Sequence, residues 1–223
     1  MDIPVWAIVA GVVSLVAGVI GIAIWIEQRR TKQIREAAVE LGFEVLDSLP
    51  ADMDVYRSRF ALFNSGRARK VSNVLQRQVE GLHVLLYDYS YITGSGKHSH
   101  THHQTVAMFW SRELNLPEFR LSPEGWLSKL TQIFGTQDID FDESPEFSKK
   151  FVLAGTSELT IREFFDADRR TSLTVFDGLC LETCQDCAVI WFQNRRVAAS
   201  GVREFFEKTF EVYTVLKARQ VSS

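Results

Sequence analysis

Leu82-His83-Val84-Leu85-Leu86-Tyr87-Asp88-Tyr89-Ser90-Tyr91-Ile92 is the stretch that decides the fold. Its apolar run followed by alternating tyrosines reads as a strand, because aromatic and branched side chains fit a pleated surface whose successive residues point to opposite faces. Glu80-Gly81 before it is a tight turn, and residues 71–79 beyond the turn form a second strand. A third, 105–110, is reached through a long loop expected over 93–104, so the three make an antiparallel meander. A short helix is expected over 53–63, after Pro50. Further on, 118–121 reads as a short strand, and Ser122-Pro123-Glu124 opens a helix to about Phe134. Residues 138–142 and 147–153 look extended, Thr156 or Ser157 caps a helix through Phe165, and 173–176 prolongs the helical region. A hairpin over 179–192 turns at Gln185-Asp186. The last helix, 201–219, capped by Ser200, places Val202, Phe205, Phe206, Phe210, Tyr213 and Leu216 on one face, ready to pack on a sheet. Hairpins mixed with isolated helices predict the α+β class rather than a parallel α/β fold.

The N-terminus is of a different kind. Residues 3–26 carry no charge, and 24 residues of helix span about 36 Å, more than the roughly 30 Å hydrocarbon core of a bilayer. Trp6 and Trp25 would lie about 28 Å apart along that helix, near the two headgroup levels that indole rings prefer. The basic residues Arg29, Arg30, Lys32 and Arg35 follow the apolar run instead of preceding it, which predicts an uncleaved anchor with the N-terminus outside and the C-terminal side in the cytoplasm. Ala7, Gly11, Ser14, Gly18 and Gly21 line one helical face with small side chains. That face predicts pairing in the membrane, with a second copy or with a larger membrane partner. Ile34, Ala38 and Leu41 keep helical spacing up to Gly42, so the expected organisation is an anchor over 1–26, a juxtamembrane helix over 27–42 and one soluble α+β domain over 43–223.

The chain has 25 basic and 28 acidic residues, a net charge of −3, and no field that would draw it to nucleic acid. The charge is uneven: Arg57, Arg59, Arg67, Arg69, Lys70 and Arg77 lie in a segment without a carboxylate, a basic patch suited to anionic lipid or an acidic partner. Trp191-Phe192-Gln193-Asn194-Arg195-Arg196 is identical to the recognition-helix core of homeodomains, but the preceding residues read as strand and the surrounding region is not basic, so the expected structure is a strand ending in a polar turn. Gly94-Ser95-Gly96-Lys97 lacks the leading glycine and the following hydroxyl of a phosphate-binding loop. Asp138, Asp140 and Asp142 begin like an EF-hand, but Glu143 and Lys149 stand where the turn glycine and the bidentate Glu belong.

His98, His100, His102 and His103 are the metal candidates, since imidazoles at alternate positions of an extended segment point to one side and can share a divalent ion. Cys180, Cys184 and Cys187 are an odd set without a disulfide pattern, and at most two of them could reach one ion. No arrangement of nucleophile and base stands out, and no cofactor is expected.

The stretch from Tyr91 to Lys97 leading into Thr105-Val106-Ala107, and Asp140-Phe141-Asp142 leading to Pro145-Glu146-Phe147-Ser148 and Phe151-Val152-Leu153, resembles a group of uncharacterised bacterial single-pass membrane proteins. The resemblance implies the architecture and a bacterial inner-membrane setting. The expected function is therefore that of a non-enzymatic, membrane-tethered interaction or scaffold module, with a metal- or thiol-responsive sensor built on the histidine segment as the alternative.

Overall fold

A computed structural model describes residues 4–124 and 138–218. It contains a long N-terminal helix, α1 (Val5–Glu40), and an antiparallel sheet of eight strands with helices packed on it. The strands are β1 (Glu44–Leu46), β2 (Arg67–Val79), β3 (Leu82–Thr93), β4 (His100–Trp110), β5 (Phe119–Pro123), β6 (Phe151–Gly155), β7 (Leu179–Cys184) and β8 (Cys187–Phe192), in the spatial order β1-β2-β3-β4-β8-β7-β5-β6. The remaining helices are α2 (Ala51–Arg57), α3 (Ala61–Asn64), α4 (Pro145–Lys150), α5 (Glu158–Phe164), α6 (Ala167–Thr174) and α7 (Val202–Lys217).

The meander is present and longer than expected. β4 pairs with β3 all the way from Trp110 opposite His83 to His100 opposite Thr93, so the loop expected over 93–104 shrinks to a tip at 94–99. β2 starts at Arg67, carried through two register breaks by Ala68 and Asn73, both in left-handed backbone. A bulge places two residues opposite one and re-aims the side chains beyond it. The hairpin turning at Gln185-Asp186 forms as read, with Cys184 opposite Cys187. Ser157 accepts a hydrogen bond from the Thr160 N–H and caps α5.

Five expectations are corrected. Residues 147–150 are helical: Pro145 at the first position, Glu146 in the first turn and Lys149 and Lys150 in the last favour α4. Residues 138–142 form no strand and instead run beside β6, where the Ile139 N–H donates to the Leu153 carbonyl. The segment 53–63 divides into α2 and α3. α7 begins through a short 3-10 turn (Ala199–Gly201) without a side-chain cap, and buries Thr209 and Val212 while Phe210 stays exposed. Ser122 and Pro123, expected to open a helix, instead end β5, paired with Val152 and Phe151 of β6; the rest of the helix expected to reach Phe134 lies, beyond Glu124, outside the described residues.

The sheet is buried on both faces. One face, with Leu75, Leu86, Ala107, Phe109, Leu181 and Ile190, packs under α7, α5 and the second half of α1, which contributes Ile34 and Ala38 to that core. The other, with Tyr87, Tyr89, Tyr91, Met108, Trp191 and all three cysteines, lies under Phe60, Leu62 and Phe63 from α3 and its approach. The first half of α1 behaves differently. It is long and apolar enough to cross a membrane, and none of its most apolar window is buried in the fold. A single helix thus passes without a break from a membrane-type segment into the hydrophobic core.

Candidate functional site: the junction of the membrane helix and the sheet

Arg30, Ile34 and Ala38 fall four residues apart on α1 and therefore share one face. The two apolar members are buried, so the arginine one turn nearer the apolar segment enters the same interface. Its partner is Asp88, which has the same parity on β3 as Leu86 and so points to the helix-covered face. Arg30 grips it with both terminal nitrogens, at 2.5 and 3.1 Å, and also donates to the Val197 carbonyl at 2.6 Å. Asp88 further accepts from Asn73 Nδ2 at 2.8 Å, Thr105 Oγ1 at 2.9 Å and Arg196 at 3.3 Å. Arg196 reaches on to α1 itself and holds Glu27 through both of its terminal nitrogens.

Each donor is delivered by a different local device. Asn73 sits at the second register break of β2 with φ of 53°. Asn tolerates that left-handed conformation better than most residues. Thr105 comes from β4, and its hydroxyl also accepts the Val197 N–H at 2.9 Å, while the Thr105 N–H donates to the Arg195 carbonyl. The segment that follows β8 is thereby folded back over the cluster. Trp191 and Phe192 end β8, Gln193 and Asn194 turn, and Arg195, Arg196 and Val197 close the junction. The homeodomain-like hexapeptide serves an intramolecular purpose.

Asp88 has only 7 % of its side chain exposed. Burial by itself would raise its carboxyl, but the hydrogen bonds from Arg30 and Asn73 and the charges of Arg30 and Arg196 outweigh that and hold it below the usual carboxylate range. Five donor atoms occupy a carboxylate with about four lone-pair sites, so none is left to take a proton from a substrate. The cavity beside the cluster measures about 20 Å³ and is lined by Arg30, Asn73, Leu86, Val197, Val202 and Phe205. That is room for about one water. The arrangement suits gripping a helix.

The residues singled out in the sequence are distributed as follows. Arg77 lies at the far end of the sheet, opposite Val84, where it donates to the Leu41 carbonyl, and Arg57 lies over the Phe63 ring on the other face. Arg59 is exposed after α2. Only Arg67, Arg69 and Lys70 stay together, at the start of β2. The basic patch is divided by the fold.

His102 is buried and stacked on Tyr91, with its Nε2 2.8 Å from Thr93 Oγ1. His100 meets it edge-on on the same face, His103 belongs to the opposite face, and His98 lies in the tip. Among the described residues no three His, Cys, Asp or Glu side chains are grouped so that they could hold a metal ion. The cysteines are buried thiols, with Cys180 pushed well up by burial and by the nearby Glu182. On α1, Ala7 lies in the helix, Ser14 is exposed, and a side chain added at Gly11, Gly18 or Gly21 would meet nothing.

A second charged cluster lies on the opposite face. Glu182 of β7 is fully buried, pairs with Arg120 of β5 at 3.1 Å, and accepts the N–H groups of Ala61 and Leu62 at 2.6 and 3.1 Å. It caps α3, which has no side-chain cap of its own, from 121 residues away. No motif marks either cluster; the available signal was a charge at a position whose parity is otherwise apolar.

No family model matches the chain, and no curated protein matches it. Among solved structures the fold is similar to the crystal structure of the mycobacterial trehalose monomycolate transport factor A, TtfA, with a TM-score of 0.60 at 11 % identity, over 86 % of this chain and 98 % of that one. At that identity the likeness concerns the fold.

Proposed function

We propose that this protein is a non-enzymatic interaction module of the bacterial inner membrane, with its N-terminus outside and its folded domain in the cytoplasm. The observation that carries this reading is the clamp. Arg30, Asp88, Arg196 and Glu27 fasten the domain to the helix one turn beyond its apolar segment, so the domain is held at a fixed attitude to the bilayer instead of swinging on a linker. The apolar segment continues without a break into the helical turns that carry Glu27, Arg30, Ile34 and Ala38, and the domain holds all four, which supports an anchor over a secretory signal. The basic residues after the apolar run favour the cytoplasmic placement of the domain. The open small-residue face of α1 supports pairing, with a second copy or with a larger membrane protein. The neighbour of similar fold is described as a transport factor, a description that fits a non-enzymatic role at a membrane.

The test is purification of the full-length protein from membranes with whatever accompanies it, alongside a variant in which Gly11, Gly18 and Gly21 are changed to Ile. Specific companions retained by the natural sequence and lost from the variant are the expected result. A protein that emerges alone in both preparations would overturn the reading.

A further inference from the structure

The clamp also fixes which end of the sheet faces the bilayer. Leu41, at the end of α1, is held by Arg77 at the level of Val84, and Arg30 is held by Asp88 four residues further along β3. Going backwards along α1 towards the apolar segment therefore means going forwards along β3. From Asp88, β3 runs five more residues to Thr93, about 16 Å, while α1 needs only four residues, about 6 Å, to reach Ile26 at the edge of the apolar stretch. Lys70, opposite Ser90 two residues beyond Asp88, thus lies about level with Ile26, and the β3–β4 tip with Arg67 beside it reaches about 10 Å further along the direction of the apolar segment.

That end is basic. Arg67, Arg69, Lys70 and Lys97 are all exposed, and no carboxylate among the described residues is ion-paired with any of them. Arg67 donates to the Gly94 carbonyl and to Ser99 Oγ, and Arg69 to the carbonyls of Asn64 and Gly66, so their charges are positioned but not neutralised. The segments that build the tip, 65–72 and 89–112, contain no Asp or Glu. Gly66 and Gly94 hold positive φ where a side chain would strike the Ile92 and His98 carbonyls respectively.

We propose that this tip is a lipid-docking surface: Arg67, Arg69, Lys70 and Lys97 bind the phosphates of anionic headgroups in the leaflet that the anchor enters. The idea rests on the membrane-anchored reading and gives it a second point of attachment, which with the clamp would fix the rotation of the domain on the bilayer. Arg57, Arg59 and Arg77 take no part.

The experiment uses the full chain in lipid nanodiscs, with a fluorophore on Ser95→Cys at the tip or on Glu80→Cys at the opposite end of the meander, and with lipids carrying a headgroup quencher. Discs contain phosphatidylcholine alone or with one third phosphatidylglycerol. Strong quenching at residue 95 only, deeper in the anionic discs and reduced by 0.5 M salt, is the expected outcome. Each of Lys70→Gln and Lys97→Gln should lower the docked-to-undocked ratio about five-fold. Equal, weak quenching at both labels in protein that has entered the discs would overturn the docking surface and leave the anchored module intact. Quenching indifferent to lipid charge, salt and the lysines would overturn the electrostatic assignment. A chain that does not enter the discs at all would overturn the anchor reading and the docking surface with it.

Discussion

Two buried arginine–carboxylate pairs lie on opposite faces of one sheet, and they do different things. Arg120 and Glu182 come from neighbouring strands, β5 and β7, and the carboxylate has spare acceptors that it turns to the start of α3. Arg30 and Asp88 come from separate layers, and here the carboxylate collects donors from α1, β2, β4 and the segment after β8. The first pair stabilises the sheet and a turn lying on it. The second joins the sheet to something that arrives from outside. Their titration behaviour differs accordingly: burial pushes the Glu182 carboxyl up, with the Arg120 charge and two backbone N–H groups only partly opposing it, whereas for Asp88 the donors win and the carboxyl is held down.

The largest effect is expected at the pair internal to the sheet. Glu182→Ala leaves the Arg120 guanidinium buried without its carboxylate and the N–H groups of Ala61 and Leu62 without an acceptor. Breaking a buried pair from one side costs about 3–5 kcal/mol, and that loss should appear in chemical denaturation of the full-length protein in detergent. A cost under about 1 kcal/mol would mean that the fold does not depend on this pair.

Asp88→Asn should cost less, about 2 kcal/mol, because Arg30 keeps the Val197 carbonyl and Arg196 keeps Glu27. It should also free α1, so protease sites near Arg29 and Lys32 should open in this variant and stay closed in Glu182→Ala at equal residual stability. Similar proteolysis in the two would erase the proposed division of labour.

Acid gives the same comparison a sign. The folded-state carboxyl of Asp88 lies below its unfolded value, near 3.9, so its contribution is present above that pH and is lost as pH falls towards the folded value. Glu182 is raised, so its contribution is full below its unfolded value, near 4.3, and declines as pH rises through the folded one. The stability gap between natural protein and Asp88→Asn should therefore narrow on acidification below about pH 4. The gap to Glu182→Gln should change in the opposite direction across the window above pH 4.3. Parallel curves would contradict the assigned shifts.

Much of the architecture was legible because it is local. The alternation around Tyr87, Tyr89 and Tyr91, the turn at Gln185-Asp186 and the Ser157 cap each need only a few neighbouring residues. What could not be read was long-range. The strand at 67–70 forms only because β3 is there to pair with it, and so do the left-handed Ala68 and Asn73. The pairing of 147–153 with β5 competed with helix-favouring end charges on 145–150, and the division fell at Phe151. The clamp joins residues 58, 108 and 169 positions apart, and no spacing rule connects them. Parity alone pointed there. Asp88 has the register of Leu86, and Arg30 the spacing of Ile34 and Ala38, so each is a charge on a face otherwise apolar.

The smallest expected effect tests whether α1 is held as one rigid body. Arg77 donates to the Leu41 carbonyl at 3.1 Å, one of the acceptors that the end of the helix leaves without an internal partner, and its guanidinium lies over Phe206. Arg77→Ala should cost about 1 kcal/mol. Its level in the sheet, opposite Val84, is about 13 Å along β3 from Asp88, far enough for independent effects to add to within about 0.5 kcal/mol. Because Asp88→Asn is expected to free α1, the double variant should lose clearly less than the sum, whereas a helix still docked in each single variant would make Asp88→Asn and Arg77→Ala add. If the double variant loses clearly less than the sum, the helix has already lifted from the sheet when Asp88 is neutralised. Arg77 then has nothing left to hold, and the clamp is the element on which docking of the membrane helix depends.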